Sequence, residues 1–187
     1  MDIKQLDEDK TQIQLVKQRF FAMRNGIVAD VLRRGGSPYR IIFGLNLPQL
    51  KEIATVFGYD KELAEQLWAN TSTRESRLMA PMLINPEEFT ECDVLRWLGN
   101  LTGATEELDF LCHSLLRKLP FADTLVDLLT EDSNDLWRYT GLRLAFAKIN
   151  TFPEKALRLA EAELFRNNPL THQIAAQLRD EAEFIMS

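Results

Sequence analysis

The 187-residue chain has two cysteines, two histidines, seven prolines and eight glycines. Two cysteines, Cys92 and Cys112, are too few for a disulfide framework and read as reduced, buried thiols. His113 and His172 lie far apart and neither has metal-ligand spacing with a cysteine, so no metal site is expected. A serine or cysteine nucleophile needs a histidine beside it, and nothing in the sequence places one there. No apolar run approaches the ~20 residues of a membrane helix. The acidic start, MDIKQLDEDK, lacks the apolar stretch of a secretory signal, so a cytoplasmic protein with no membrane partner is expected. The Arg34–Arg40 stretch holds a Gly35-Gly36 pair, but no Gly-Lys-Ser/Thr follows and no strand precedes it. It is therefore not a phosphate-binding P-loop. No cofactor is implied.

Positive charge is also short. The net charge is −6. Residues 1–40 carry eight Lys/Arg against five Asp/Glu, while residues 41–187 carry 14 against 23. A strong non-specific DNA binder shows a broad basic footprint, and this balance argues against one.

What is present is helical periodicity. From Glu62 to Leu98, Leu63, Leu67 and Trp68 recur at helical spacing, as do Leu78, Met79 and Met82. Ser72-Thr73-Arg74-Glu75 reads as a capping box. Further helices are expected over residues 3–24, from Ile27 to Arg34, and after Asn46 with Pro48 in the first turn. Others start after the caps Asp60, Thr90, Thr105, Asn134 and Thr171, with a box over Thr151–Glu154. Pro81 should stop or kink the helix that contains Met79. About ten helices with short links result, and no alternating run of strand length competes. None of these helices buries its apolar stripe alone. An all-α, right-handed solenoid of HEAT-like antiparallel helix pairs, forming a single domain over residues 1–187, is the expected fold. Its concave face would take a partner, DNA or protein. The sequence does not indicate an oligomeric state.

Leu67-Trp68 followed by Arg74-Glu75-Ser76-Arg77 resembles the helix–turn–helix of the AlkD-type alkylpurine DNA glycosylases, which are built from HEAT-like repeats. Asp135-Leu136-Trp137-Arg138-Tyr139 resembles that family's DNxWxQR helix start, and Gly44–Pro48 its entry loop. The resemblance runs from about residue 20 to 186. It implies cleavage of the glycosidic bond to a cationic alkylated purine. Aromatic side chains would hold the base, a carboxylate would stabilise the developing positive charge, and basic residues would grip phosphates.

The chain departs from that pattern. With the family's WWDxxD helix set on Glu91–Arg96, its tryptophan falls at Cys92 and its aspartate at Arg96, which has the wrong charge. The family's phosphate-gripping arginine falls at Thr140 and its last aromatic near Ala176. A substitute carboxylate–aromatic pair is available in Asp93 and Trp97, four residues apart on one helix. Asp93 is thus the candidate catalytic residue, and Trp97, Arg96, Trp137, Arg138, Arg74 and Arg77 are the candidate DNA-contact residues. The alternative for each is structural: Trp97, Trp68 and Trp137 as core, Asp93 as an early-turn acid, and Arg74 paired with Glu75. Arg138, Arg143 and Lys148 lie along one helix, as a groove lining or a solvated face. The reading reached is a family member that binds DNA or protein without catalysis. The alternatives are an active glycosylase with substitute residues and a purely protein-binding solenoid.

Overall fold

The computed structural model describes residues 11–187. Eleven α-helices run through them: α1 Gln12–Ala22, α2 Gly26–Arg34, α3 Leu47–Phe57, α4 Lys61–Ala69, α5 Arg74–Met79, α6 Glu91–Leu98, α7 Thr105–Ser114, α8 Ala122–Thr130, α9 Asp135–Ala147, α10 Pro153–Arg166 and α11 His172–Met186. The fold class is all-α, as the periodicity implies. Residues 3–10 of the first expected helix, and the acidic start, lie outside the described residues. Among the described residues no strand forms. The only β-type pairing is the isolated bridge between Ile41 and Thr73.

Several helix starts follow from local chemistry. Asn46 and Gln49 exchange hydrogen bonds at 3.0 Å each, with Pro48 in the first turn of α3. Asp60 accepts from the Leu63 amide, and Asn134 from Leu136 and Trp137. Pro81 acts as expected: α5 gives way at Ala80–Leu83 to a 3-10 turn.

Other starts differ from the sequence reading. Thr73 is the N-cap of α5, but its side chain makes no cap bond, and Glu75 turns away to a distant loop. The cap of α10 is Phe152, without a side-chain bond, so the box over Thr151–Glu154 is not made. Thr171 caps α11 with its backbone only, because its hydroxyl donates to Glu163. At α5 and α11 a tertiary partner wins over the local one.

Contacts divide the chain into two units: residues 11–88 with 99–104, and residues 89–98 with 105–187. In the first, α1 and α5 pack with α4, and α3 packs on α5, around Val16, Phe20, Leu50, Ile53, Leu67 and Trp68. A satellite cluster of Ala29, Tyr39 and Ile42 holds α2. In the second, α7, α8, α10 and α11 pack with α9 around Leu108, Leu111, Leu129, Leu142, Ile174 and Leu178. Burying these side chains is the main favourable contribution in each unit, about 1.5–3 kcal/mol per large aliphatic residue.

Candidate functional site

Three clusters carry the charged and aromatic residues that the sequence nominates. The first is in the first unit. Arg74 is buried, and its guanidinium donates to the Leu45 carbonyl at 3.1 Å and to Glu75 at 3.0 Å. Glu75 is fully buried and accepts from three successive backbone amides, Phe43 (3.0 Å), Gly44 (3.0 Å) and Leu45 (3.3 Å). A buried carboxylate needs this many donors. Arg77 has no exposed surface. It donates to the Asn100 carbonyl at 2.7 Å and to the Trp68 carbonyl, and its guanidinium stacks 3.6 Å from the Trp68 ring centre. Arg74 and Arg77, nominated as DNA contacts, therefore serve the interior in this structure, and the predicted pairing of Arg74 with Glu75 is made.

The second cluster is α6. Asp93 and Thr90 form a reciprocal cap: the Thr90 amide and hydroxyl donate to Asp93 Oδ2, and the Asp93 amide donates back to Thr90 Oγ1. The other Asp93 oxygen takes Arg96 at 2.8 Å. Trp97 is buried, edge-on to Phe89 with ring centres 5.0 Å apart. The carboxylate–aromatic pair thus divides between helix surface and core. Cys92, expected to be buried, is exposed beside it. Its position on the polar side of α6 explains the difference.

The third cluster is in the second unit. Trp137 donates from its indole nitrogen to the Leu98 carbonyl at 3.3 Å. Arg138 is buried. Its Nε lies 3.1 and 3.2 Å from the two Glu163 oxygens, while Nη2 reaches Asp135 at 2.5 Å and Nη1 reaches the Asp132 and Ser133 carbonyls. Arg166 (2.9 Å) and the Thr171 hydroxyl (2.6 Å) complete the coat on Glu163. Arg138, like Arg74, is spent internally. Thr140 returns its hydroxyl to the Leu136 carbonyl, and its own carbonyl accepts from the Cys112 thiol at 3.5 Å. Burial pushes that thiol's pKa up, so it stays protonated and unreactive.

Beside this network lies a group the sequence reading did not assemble. Asp109 on α7 accepts from the Tyr139 hydroxyl at 3.0 Å and from Arg143 Nε at 2.9 Å, both on α9. The sequence offers Arg143 as groove lining or solvated face, without this partner. Tyr139 and Arg143 are four residues apart, which aims both side chains at one point. That spacing is visible in the sequence, but the partner 30 residues earlier is not. Asp109 and Arg143 are each about a third exposed. Partial burial raises the Asp109 pKa, with Arg143 and the Tyr139 hydroxyl opposing. Burial and the Asp109 charge raise that of Tyr139, which remains a donor. Lys148 pairs with Asp123 at 2.5 Å. Among the described residues, no group of three or more His, Cys, Asp or Glu side chains gathers as a metal would require, and no helix is long and apolar enough to cross a membrane.

With this geometry in hand, comparison with known proteins gives two findings. A model of the family described as DNA alkylation repair enzyme matches residues 16–186. A solved structure described as a new family of proteins related to the HEAT-like repeat DNA glycosylases, with affinity for branched DNA structures, is similar in fold. Its TM-score is 0.78 at 17% sequence identity, over 90% of this chain and 74% of that one. Curated proteins give no match. The Leu67–Arg77 and Asp135–Tyr139 segments that carry the resemblance both lie inside the matched span, which covers most of the chain. The chain belongs to the DNA alkylation repair enzyme family.

Proposed function

We propose that this protein binds DNA, favouring branched over linear forms, and does not excise bases. One observation carries the second half of the reading: the partly exposed carboxylate of Asp109 in the second unit is already paired with an arginine and a tyrosine hydroxyl. Hydrolysis of a glycosidic bond needs a carboxylate able to face the positive charge growing on the sugar. Asp109 instead faces Arg143 and the Tyr139 hydroxyl, which already compensate its charge, while partial burial raises its pKa. Asp93 is engaged by Thr90 and Arg96. Neither has the environment this chemistry requires. The first half is supported by family membership and by the affinity for branched DNA of the similar solved protein.

The test is single-turnover incubation of excess protein with duplex DNA carrying N-methylated purines, with binding to a four-way junction measured on the same preparation. Junction binding with base release at the spontaneous rate is expected. Release above that rate, lost in Asp109→Asn, would overturn the non-catalytic reading and assign the chemistry to Asp109.

A further inference from the structure

The most unusual surface in the first unit is α2. Helices of soluble proteins turn their apolar side chains inward, and α2 turns only Ala29 fully in. Ile27 is 79% exposed and Val31 56% exposed. They are four residues apart, so they stand one above the other on a single face, and Arg34 falls on the same face three residues beyond Val31. At the other end, across the Asn25 turn, Phe21 is 57% exposed with the Arg24 guanidinium 3.8 Å from its ring centre. Arg24 is fixed there by donating to the Phe21 carbonyl at 3.0 Å. Arg34 is steadied by donating to the Asp30 carbonyl, and the Asp30 carboxylate is taken by Arg33 at 2.7 Å.

The charge of the segment that carries this face is one-sided. Residues 11–40 carry six Lys/Arg and a single acid, Asp30, in a chain whose net charge is −6. Its complement is therefore anionic. It must also offer flat apolar surface to two β-branched side chains and a phenyl ring. Base-pair faces exposed where duplex stacking is interrupted have both properties. Apolar wedges flanked by arginines are a general way to engage an opened base step.

The same unit holds α2 firmly. The Asn25 side chain caps it, accepting from the Val28 amide, and the Asn25 amide donates to the Phe43 carbonyl at 2.8 Å. Gly44, at φ +78°, lies against the turn so closely that a Cβ there would come within 2.3 Å of the Asn25 carbonyl oxygen. The amides of Phe43, Gly44 and Leu45 are those clasped by Glu75.

We propose that the exposed face of α2, with Ile27 and Val31 as wedge and Arg34 as phosphate contact, together with Phe21 at the end of α1 as stacking surface and Arg24 in the following turn as a second phosphate contact, recognises opened base steps in branched DNA. This rests on the DNA-binding reading above and names its surface. The Arg74–Glu75 pair then has a positioning role: it fixes the loop on which α2 is seated.

The experiment measures binding of the full chain to a synthetic four-way junction and to a linear duplex of the same length, over a range of salt. For wild type a preference for the junction is expected. Joint Ile27→Ser and Val31→Ser substitution is expected to weaken junction binding about ten-fold or more and duplex binding less than about two-fold, because only the junction offers open steps. Arg34→Ala is expected to weaken both and to lower the slope of log affinity against log salt by about 1. These side chains are exposed, and unchanged far-UV circular dichroism will establish that the variants are folded. As a second readout, 2-aminopurine at the junction centre brightens with wild type and not with the double variant. A folded double variant that binds the junction like wild type would overturn the α2 assignment and leave the DNA-binding reading standing. Equal losses on junction and duplex would overturn the wedge. Wild-type protein that binds neither DNA would remove both readings together.

Discussion

Glu75 in the first unit and Glu163 in the second are both buried among arginines, but the two carboxylates do different work. Glu75 spends its oxygens on backbone: three consecutive amides of the Phe43–Leu45 loop, with Arg74 as counter-charge. Glu163 spends its oxygens on side chains from three helices, Arg138 of α9, Arg166 of its own α10, and Thr171 at the start of α11. Loop amides have no helical partner and cannot be left bare inside a protein. A carboxylate can satisfy several of them at once, and in doing so it fixes the path of the chain. The second arrangement ties helices that are already regular. It follows that losing Glu75 changes a surface, through the loop to α2, whereas losing Glu163 changes only the tightness of packing.

Substitutions ranked by expected effect test this contrast. Glu75→Ala leaves three loop amides, two of them buried, and the Arg74 charge without their carboxylate, and should destabilise by about 3–5 kcal/mol. Urea unfolding of this variant measures the loss. Junction binding should fall further than the unfolded fraction explains. Glu163→Ala strands Arg138 in the same way, at about 2–4 kcal/mol, because Asp135 and two carbonyls still hold that guanidinium. Its folded fraction should bind a junction like wild type. Equal binding defects in the two variants would erase the distinction between them.

Gly44→Ala isolates the seat of α2 from the buried charges. The backbone there is left-handed, and the new methyl meets the Asn25 carbonyl oxygen and the Ala29 amide. A loss of about 2–3 kcal/mol is expected by thermal unfolding, with weakened junction binding and the Arg74–Glu75 pair intact.

The smallest effect is expected at Asp109. Its pKa is raised above the ordinary 3.8, chiefly by burial, so the native state binds its proton more tightly than the unfolded chain does. The ionised form therefore costs stability. That cost is absent below the ordinary pKa and fully present above the raised one. Asp109→Asn should be neutral to stabilising by up to about 0.5 kcal/mol at pH 7. The difference should vanish as pH falls below about 4, as melting scans of both proteins would show.

The fold was legible in the sequence because its signals are local. The Asn46–Gln49, Asp60 and Asn134 caps, the Pro81 stop and the Leu63–Leu67–Trp68 stripe all depend on residues within a turn of one another. The capping box at Ser72–Glu75 failed for the converse reason. A glutamate three residues past a hydroxyl has a local use, yet Glu75 is drawn to a loop about 30 residues upstream. The same holds for Arg74, Arg77 and Arg138, which read as surface cations until partners 23 to 29 residues away absorb them. Asp109, Tyr139 and Arg143 were visible only as half a pattern, the four-residue spacing on α9. The exposed apolar face of α2 was hidden in the opposite sense. The helix expected from Ile27 to Arg34 needs a neighbour for its apolar residues, and the structure leaves Ile27 and Val31 largely in solvent.

The account's central claim is that DNA is met by the first unit, on α2, and not by the Asp109 cluster of the second. Amide hydrogen exchange with and without a saturating four-way junction tests this directly. The prediction is added protection across residues 21–34 and none at residues 105–114 or 135–147. Protection of α7 and α9 with α2 unchanged would contradict it and return Asp109, Tyr139 and Arg143 to the centre of the function.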